Sequence, residues 1–114
     1  QKPTPFRPDI AVDISNVVEQ KIYAMAAHQS QFFEWLPWTA GRLDEVPQKE
    51  EDRFLWLAAT RKSDISPAIR ESLAKWYGPD QAASAIAAEA FEICEYGRRP
   101  SEEQIRQLFP MLKR

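Results

Sequence analysis

A strict alternation of polar and apolar residues near the N-terminus places the strongest constraint on how this chain folds. Within residues 9–14, the three β-branched side chains point to one side of an extended backbone, while the two aspartates and the alanine point to the other. An extended segment with one apolar side must pack against other elements. The sequence therefore predicts a short strand with one buried face, followed by a helix that Asp13 or Ser15 caps.

The helix predicted after this strand carries the only histidine of the chain. Apolar residues recur at helical spacing, and the helix is expected to end near Trp35, because Pro37 disfavours helical geometry at the residue before it. Lys21, His28 and Gln31 lie at relative positions 0, 7 and 10 of this helix, so they share one face. That face is a candidate wall of a functional site.

The rest of the chain is predicted to be mostly helical. A loop is expected over residues 39–47, and helices over residues 48–62 and 64–78. Ser66 is the N-cap of the second of these helices, Pro67 lies in its first turn and Gly78 ends it. Ser101 and Gln104 form a capping-box pattern before a terminal amphipathic helix. Residues 80–96 fit both a helical face and a strand alternation, although periodicity alone favours helix.

Composition indicates one modest globular domain, either complete or partial, over residues 1–114. The net charge is −2, from 15 basic and 17 acidic side chains, so a nucleic-acid or anionic-lipid surface is not expected. No apolar run approaches the roughly 20 residues of a membrane span. Cys94 is the lone cysteine. It is interpreted as a small buried apolar residue and fits a cytoplasmic protein.

The residues needed for self-contained catalysis are missing from this sequence. A hydrolytic zinc site takes three protein ligands drawn mainly from His, Asp, Glu and Cys, and His28 has no histidine partner. Ser30 lies two residues after His28, so the two side chains point to different faces of a helix. No catalytic residue and no metal ligand is assigned, and the chain alone is expected to bind no zinc.

Two segments resemble a known family. Residues 5–38 resemble the C-terminal part of the LmbE-like or PIG-L family of zinc-dependent de-N-acetylases, in which a "P-D-x-x-x-D-I" strand leads into a helix with "K-x-x-A-x-x-x-H-x-S-Q". The matching residues are Pro8, Asp9, Asp13, Ile14, Lys21, Ala24, His28, Ser30 and Gln31. Residues 88–110, AEAFEICEYGRRPSEEQIRQLFP, resemble a late "A-E-A-F" strand of the family and the helix that follows it, and on this basis residues 87–96 are assigned as strand rather than helix.

The resemblance implies an α/β chain, the C-terminal part of a Rossmann-like fold, mostly helical with one or two short strands. The family's zinc motifs, "A-H-P-D-D" and "H-x-x-H", are absent from this sequence, so the chain is expected to be inactive alone. Two partners are expected. One is an N-terminal catalytic portion, which binds the zinc, and the other is the substrate, an N-acetylated sugar or glycoconjugate. His28, Gln31 and Lys21 are expected to line the substrate pocket or to support the metal site from behind. The start at Gln1, inside the family pattern, favours a fragment over a stand-alone relative.

A different class of function is also open. Phe32, Phe33, Trp35 and Trp38 form an aromatic group beside Pro37, and an exposed group of this kind suits a non-catalytic interaction module or a homo-oligomer.

Overall fold

The computed structural model describes residues 4–61 and 65–112, which form a mostly helical α/β structure with one two-stranded sheet. The strands are β1, Ile10–Asp13, and β2, Ala88–Phe91. The α-helices are α1, Val18–Ala26; α2, Leu36–Thr39; α3, Glu50–Thr60; α4, Pro67–Tyr77; α5, Pro79–Ser84; and α6, Glu102–Leu108. The predicted α/β class, mostly helical with two short strands, is confirmed.

The chain divides into two compact units, each with its own hydrophobic cluster, where the sequence suggested a single core. The sheet unit consists of Gln1–Ser15 and Ser63–Arg114, and the helical unit is Asn16–Lys62. The predicted boundaries at residues 62 and 64 lie outside the described residues. The buried residues of each unit come from that unit alone.

The sheet unit is built on antiparallel pairing between segments that lie far apart in the sequence. Ile10 pairs with Phe91 at one end of the register and Asp13 with Ala88 at the other. The strand predicted over residues 9–14 is therefore confirmed. Residues 80–96, which fitted both helix and strand, contain both, because helix α5 is followed by strand β2. The strand assignment made from the family resemblance is confirmed for Ala88–Phe91.

Helix α4 covers strand β1 and supplies both aromatic side chains among the buried residues of this core. Trp76 and Leu73 keep 2% and 0% of their surface exposed, and Ala11 of β1 is fully buried. Two polar atoms of α4 also bond the strand: Trp76 Nε1 donates to the Asp9 carbonyl oxygen at 3.0 Å, and the Asp13 N–H donates to the Tyr77 hydroxyl at 3.3 Å. Packing and hydrogen bonding thus fix the same pair of elements.

Asp13 and Ser15 do not cap a helix, contrary to the expectation from sequence. Helix α1 begins only at Val18, without a side-chain hydrogen bond at its N-cap. The Asp13 carboxylate instead accepts the Ser15 N–H and the Gln81 side-chain amide, each at 3.0 Å. The Ser15 hydroxyl in turn accepts the Ile86 N–H at 3.0 Å. Their short oxygens therefore join the end of β1 to α5 and to the segment between α5 and β2.

Replacing Asp13 by asparagine tests this junction through its pH dependence. Burial raises the pKa of Asp13, but hydrogen bonds from Ser15 and Gln81 outweigh it, so the pKa lies below the ordinary value of 3.8. The stabilisation from the ionised form is therefore present above about pH 4 and is lost as the pH falls through the folded-state pKa. Asp13→Asn is expected to lower the free energy of unfolding by about 1 kcal/mol at pH 7.

Urea denaturation of both proteins between pH 7 and pH 3 measures this effect. The gap between wild type and Asp13→Asn should shrink on acidification, whereas the exposed control Asp44→Asn should stay within about 0.5 kcal/mol of wild type at pH 7. A gap for Asp13→Asn that does not change with pH would contradict the assigned hydrogen bonds.

The helical unit packs α1 against α3 around a small cluster. Its buried members are Ile22, Phe33, Val46 and Leu57. The helix predicted over residues 48–62 is confirmed as Glu50–Thr60, with Leu57 fully buried and Phe54 and Ala58 half-buried as expected. Tyr23 of α1 stacks on Phe54 of α3, with ring centroids 4.2 Å apart.

Candidate functional site

The three residues expected to form one wall of a site lie on an interrupted helix. Helix α1 ends at Ala26, and the His28 N–H bonds back to the Met25 carbonyl at 3.0 Å, a spacing of three residues that closes the final turn. The His28 carbonyl then accepts the N–H groups of Gln31 and Phe32, at 3.1 and 3.0 Å, and so starts the next helical segment. The predicted single continuous helix is therefore wrong.

Because of this break, the three candidate residues do not belong to one helix. Lys21 lies half-buried on α1, His28 lies exposed at the break, and Gln31 lies exposed at the start of the following segment. The geometry that argued for a shared face, a single helix from residue 21 to residue 31, does not hold. Among the described residues, no hydrogen bond or ion pair engages the His28 ring or the Gln31 amide.

A π-helical segment, Gln31–Trp35, lies directly after the break. The Leu36 N–H donates to the Gln31 carbonyl, five residues back, and the helix continues as α2 to Thr39. Pro37 therefore lies inside the helix instead of ending it. A proline has no N–H to give to the preceding turn, and the wider π turn shifts the hydrogen-bond pattern just before Pro37. Single π turns of this kind are frequent at functional sites.

A groove of about 850 Å³ lies between α1 and α3 of the helical unit. Its described lining residues are Tyr23, Ala26, Gln29, Phe33, Glu50, Glu51, Arg53, Phe54 and Leu55. Lys21, His28 and Gln31 do not occur among them. The Arg53 guanidinium lies 5.4 Å from the centre of the Phe33 ring, and its Nε donates to the Pro47 carbonyl at 2.8 Å. Arg53 therefore holds one end of the groove through contacts within the unit.

The sequence signal for the groove was weak. Gln29, Glu50 and Glu51 lie outside both apolar stripes, and no motif marks them. Tyr23 keeps 59% of its surface exposed and was not singled out, although an exposed aromatic residue on a predicted helix is a usable signal.

The aromatic residues beside Pro37 divide into a buried and an exposed pair. Phe33 is 5% exposed and lies 6.2 Å from the Trp56 ring, and Phe32 is half-buried beneath the Arg61 guanidinium. Trp35 and Trp38 keep 54% and 65% of their surface exposed. The expected exposed aromatic group is therefore right for the two tryptophans and wrong for Phe33.

Cys94 lies in a different environment from the one expected. The thiol is exposed, not buried, and it lines a cavity of about 530 Å³ in the sheet unit. Arg7 and Arg99 line the same cavity. Arg7 comes from the far end of the sequence, so no local pattern could place it beside Cys94. Asp9 accepts the Ile93 N–H at 2.9 Å and the Arg7 Nε at 3.1 Å, and these contacts hold the two segments together.

Within the described residues, no three His, Cys, Asp or Glu side chains come together in a way that would hold a metal ion. In the same part of the chain, no helix is both long and apolar enough to cross a membrane.

Comparison of the chain with protein-family models, with curated proteins and with solved structures gives no match.

Proposed function

We propose that this chain is the C-terminal portion of a zinc-dependent de-N-acetylase of the LmbE-like or PIG-L type, acting on N-acetylated amino sugars or glycoconjugates. The proposed whole domain is Rossmann-like, and its zinc and catalytic base belong to an N-terminal catalytic portion. This chain contributes strands, covering helices and part of the pocket rim.

One observation carries the proposal. The resemblance rests on two segments that lie far apart in the sequence, and one strand from each segment, β1 and β2, pairs with the other. Both aspartates of the first segment hold this arrangement, since Asp9 accepts the Ile93 N–H and Asp13 accepts the Gln81 amide. Two family-like segments that belong to one fold are expected to meet in this way. The pairing therefore supports the proposal that the two segments belong to one fold of this family.

In this proposal, His28 and Gln31 act from the rim. Both side chains are exposed and have no hydrogen-bond partner among the described residues, so their polar atoms are free to contact the substrate or the catalytic portion. Lys21, half-buried on α1, is proposed to support them from the preceding turn. In the family, zinc polarises the N-acetyl carbonyl and an aspartate activates water. In this proposal, the catalytic portion supplies both groups.

Acetate release from an N-acetylglucosamine-containing substrate tests the proposal. The reading frame upstream of Gln1 is expected to encode an "A-H-P-D-D" motif. The polypeptide that includes it should bind about one zinc ion and lose turnover when a chelator removes the metal. The 114-residue chain should show neither zinc nor turnover. Stoichiometric zinc with turnover in the 114-residue chain would show that the proposed division of labour is wrong.

Variants in the active polypeptide separate a rim role from general folding. His28→Ala is expected to lower kcat/KM by about 2- to 10-fold, because a hydrogen bond to the substrate contributes about 0.5–1.5 kcal/mol. Gln20→Ala, which removes an exposed polar side chain from α1, is the matched control and should leave kcat/KM unchanged. Equal kcat/KM for His28→Ala and wild type would remove His28 from the site.

A non-catalytic interaction module is the second candidate, favoured by the exposure of Trp35 and Trp38. The two residues are three apart on one helical segment, so their rings form a single exposed patch on the helical unit. Large exposed aromatic residues are enriched where proteins associate.

Self-association through this patch predicts a concentration-dependent mass. Sedimentation at micromolar concentration should show oligomers for wild type and monomers for the double variant Trp35→Ser with Trp38→Ser, because the apolar contact area is removed. The variant Leu43→Ser, which removes another exposed apolar side chain of the helical unit, is the control and should behave as wild type. A strictly monomeric wild-type chain would remove the support for self-association.

A further inference from the structure

The groove between α1 and α3 has the size and the composition of a small-molecule site. Its volume of about 850 Å³ lies within the range of about 300–1,000 Å³ that is usual for ligand pockets. Aromatic and aliphatic side chains supply most of its described lining, and a few polar side chains complete it: Gln29, Glu50, Glu51 and Arg53. A mostly apolar wall with a few polar groups is typical of sites that bind small organic ligands. The charges of the polar groups then decide which ligand fits.

The negative charges of the groove come from two carboxylates at the start of α3. Glu50 and Glu51 are exposed, and among the described residues no hydrogen bond or ion pair engages either side chain. Acidic residues in a first turn also stabilise the helix, but of the three in this turn only Glu50 and Glu51 line the groove. Both carboxylates are therefore available to a ligand.

The positive charge in the described lining, that of Arg53, is already engaged. The Arg53 Nε donates to the Pro47 carbonyl at 2.8 Å, and the guanidinium lies 5.4 Å from the centre of the Phe33 ring. In the part of the chain that the structure describes, no ion pair joins Arg53 to Glu50 or Glu51. The groove therefore keeps negative charge that a bound cation would compensate.

An aromatic surface lies beside the two carboxylates. Phe54 follows Glu50 by four residues and Glu51 by three, so the three side chains share one face of α3. Tyr23 stacks on Phe54 with ring centroids 4.2 Å apart, and it keeps 59% of its surface exposed. An organic cation in the groove can therefore contact the tyrosine ring while its charge lies near the carboxylates.

Aromatic rings of the helical unit already bind cationic side chains within the chain. The Arg61 guanidinium lies 5.3 Å from the centre of the Phe32 ring, and Arg53 makes a similar contact with Phe33. The face of an aromatic ring attracts a cation that lies within about 6 Å of its centre. Among the described residues, no cationic side chain lies over the Tyr23 ring. This contact is therefore left for a ligand.

We propose that this groove binds a small organic ammonium ion, a protonated amine carried on an apolar ring or short chain. The ammonium group binds Glu50, Glu51 and the face of the Tyr23 ring, and the apolar part of the ligand packs against Phe54 and Leu55. An anion does not fit, because the two carboxylates repel it and Arg53 is engaged. A neutral ligand of the same shape gains the apolar contacts alone.

A matched series of probes tests the proposed site on the 114-residue chain. Phenethylammonium, phenethyl alcohol and hydrocinnamate share a phenylethyl group and are positive, neutral and negative. Amide NMR spectra recorded during titration with phenethylammonium should show saturable shifts centred on Gln29, Glu50, Glu51 and Phe54, with a Kd on the order of millimolar. Affinity should fall from the ammonium to the alcohol and again to the carboxylate. Equal affinity of the ammonium and the alcohol, or shifts centred outside the groove, would overturn the proposal.

Two further probes separate a small ammonium ligand from other occupants. Methylammonium carries the charge without the ring, and it should bind about tenfold more weakly than phenethylammonium because it buries little apolar surface. Equal binding of the two would show that charge alone attracts the cation and would overturn the proposal. Saturable binding of tetralysine without binding of phenethylammonium would also overturn it, because the groove would then take a basic peptide segment.

Carboxylate variants test the source of the preference for a cation. The double variant Glu50→Gln with Glu51→Gln should weaken phenethylammonium binding by about 2- to 10-fold, since exposed ion pairs are individually weak, and should leave phenethyl alcohol binding unchanged. The control double variant Glu19→Gln with Glu34→Gln makes the same change of net charge at exposed positions outside the groove. It should bind as wild type does. An unchanged preference for the ammonium in the groove variant, or an equal loss in the control, would overturn the proposal.

Tyr23→Leu tests the contact with the ring. Leucine keeps an apolar side chain at the groove and removes the aromatic face, so phenethylammonium binding should weaken by about 2- to 5-fold more than phenethyl alcohol binding. The alcohol reports whether the groove itself stays intact. Equal weakening of both probes would overturn the assignment of the cation to the Tyr23 ring.

The groove and the deacetylase proposal fail in different ways. The groove residues belong to the helical unit and do not include His28 or Gln31. Phenethylammonium binding by the 114-residue chain without acetate release by the longer polypeptide supports the groove and contradicts the deacetylase assignment. Acetate release without binding of the probe contradicts the groove and leaves the deacetylase assignment standing.

Discussion

Replacing Trp76 by alanine is expected to lower the free energy of unfolding of the sheet unit by about 3–5 kcal/mol. The indole is 2% exposed and packs among the buried residues of β1, α4 and α6. Its Nε1 also donates to the Asp9 carbonyl at 3.0 Å. The Lys75 ammonium and the Arg106 guanidinium lie 4.8 and 4.9 Å from the ring centre. The substitution therefore removes buried area, a strand contact and two cation–π contacts together.

Urea denaturation followed by circular dichroism measures this change, and Trp76→Phe separates its parts. Phenylalanine keeps most of the buried area but leaves the Asp9 carbonyl without its donor, which costs about 1–3 kcal/mol. The expected order of stability is wild type, then Trp76→Phe, then Trp76→Ala. Because typical domains are stable by only about 5–15 kcal/mol, the alanine variant is expected to lose a large share of its free energy of unfolding. Equal stability of the two variants would contradict the packing described for Trp76.

Replacing Leu57 by alanine is expected to destabilise the helical unit by about 2–5 kcal/mol. Leu57 is fully buried and, among the described residues, lies in a cluster with the buried residues Ile22, Phe33 and Val46, against which partly buried apolar side chains pack. Neighbours packed around a buried side chain move inward only partly when it is shortened, so part of the cavity remains. The cost should therefore exceed the loss of transfer free energy alone.

Leu55→Ala is the matched control, since it makes the same substitution on the same helix. Leu55 is 67% exposed, so its replacement should change stability by less than about 0.5 kcal/mol. Thermal denaturation of wild type and both variants, recorded by circular dichroism, gives the comparison. Similar losses for Leu55→Ala and Leu57→Ala would show that α3 does not bury the face described.

Elements with short-range signals were predicted closely from the sequence. The Ser66 side chain accepts the Ile69 N–H, Pro67 opens α4, and Gly78, with φ at 92°, ends it. The capping box between Ser101 and Gln104 forms with both of its hydrogen bonds. These signals succeed because the groups that satisfy each helix end lie within three or four residues of it.

Elements that depend on distant partners were predicted less well. Asp13 and Ser15 have the chemistry of helix caps, but their oxygens bond Gln81 and Ile86, which no local pattern places beside them. The break at His28 has no glycine or proline to announce it. The helix also passes through Pro37, because a π turn precedes it.

The candidate site shows the same difference between short-range and long-range interactions. The sequence by itself determined the positions of α3, α4 and α6 and the strand β1. Only the tertiary structure decided that His28 lies at a break in the helix, that Gln31 follows it, and that Cys94 and Arg7 line one cavity. The physical reason is the range of the interactions. Helix caps and periodic apolar faces are satisfied within a few residues, whereas strand pairing and buried polar contacts need partners that only the folded chain brings together.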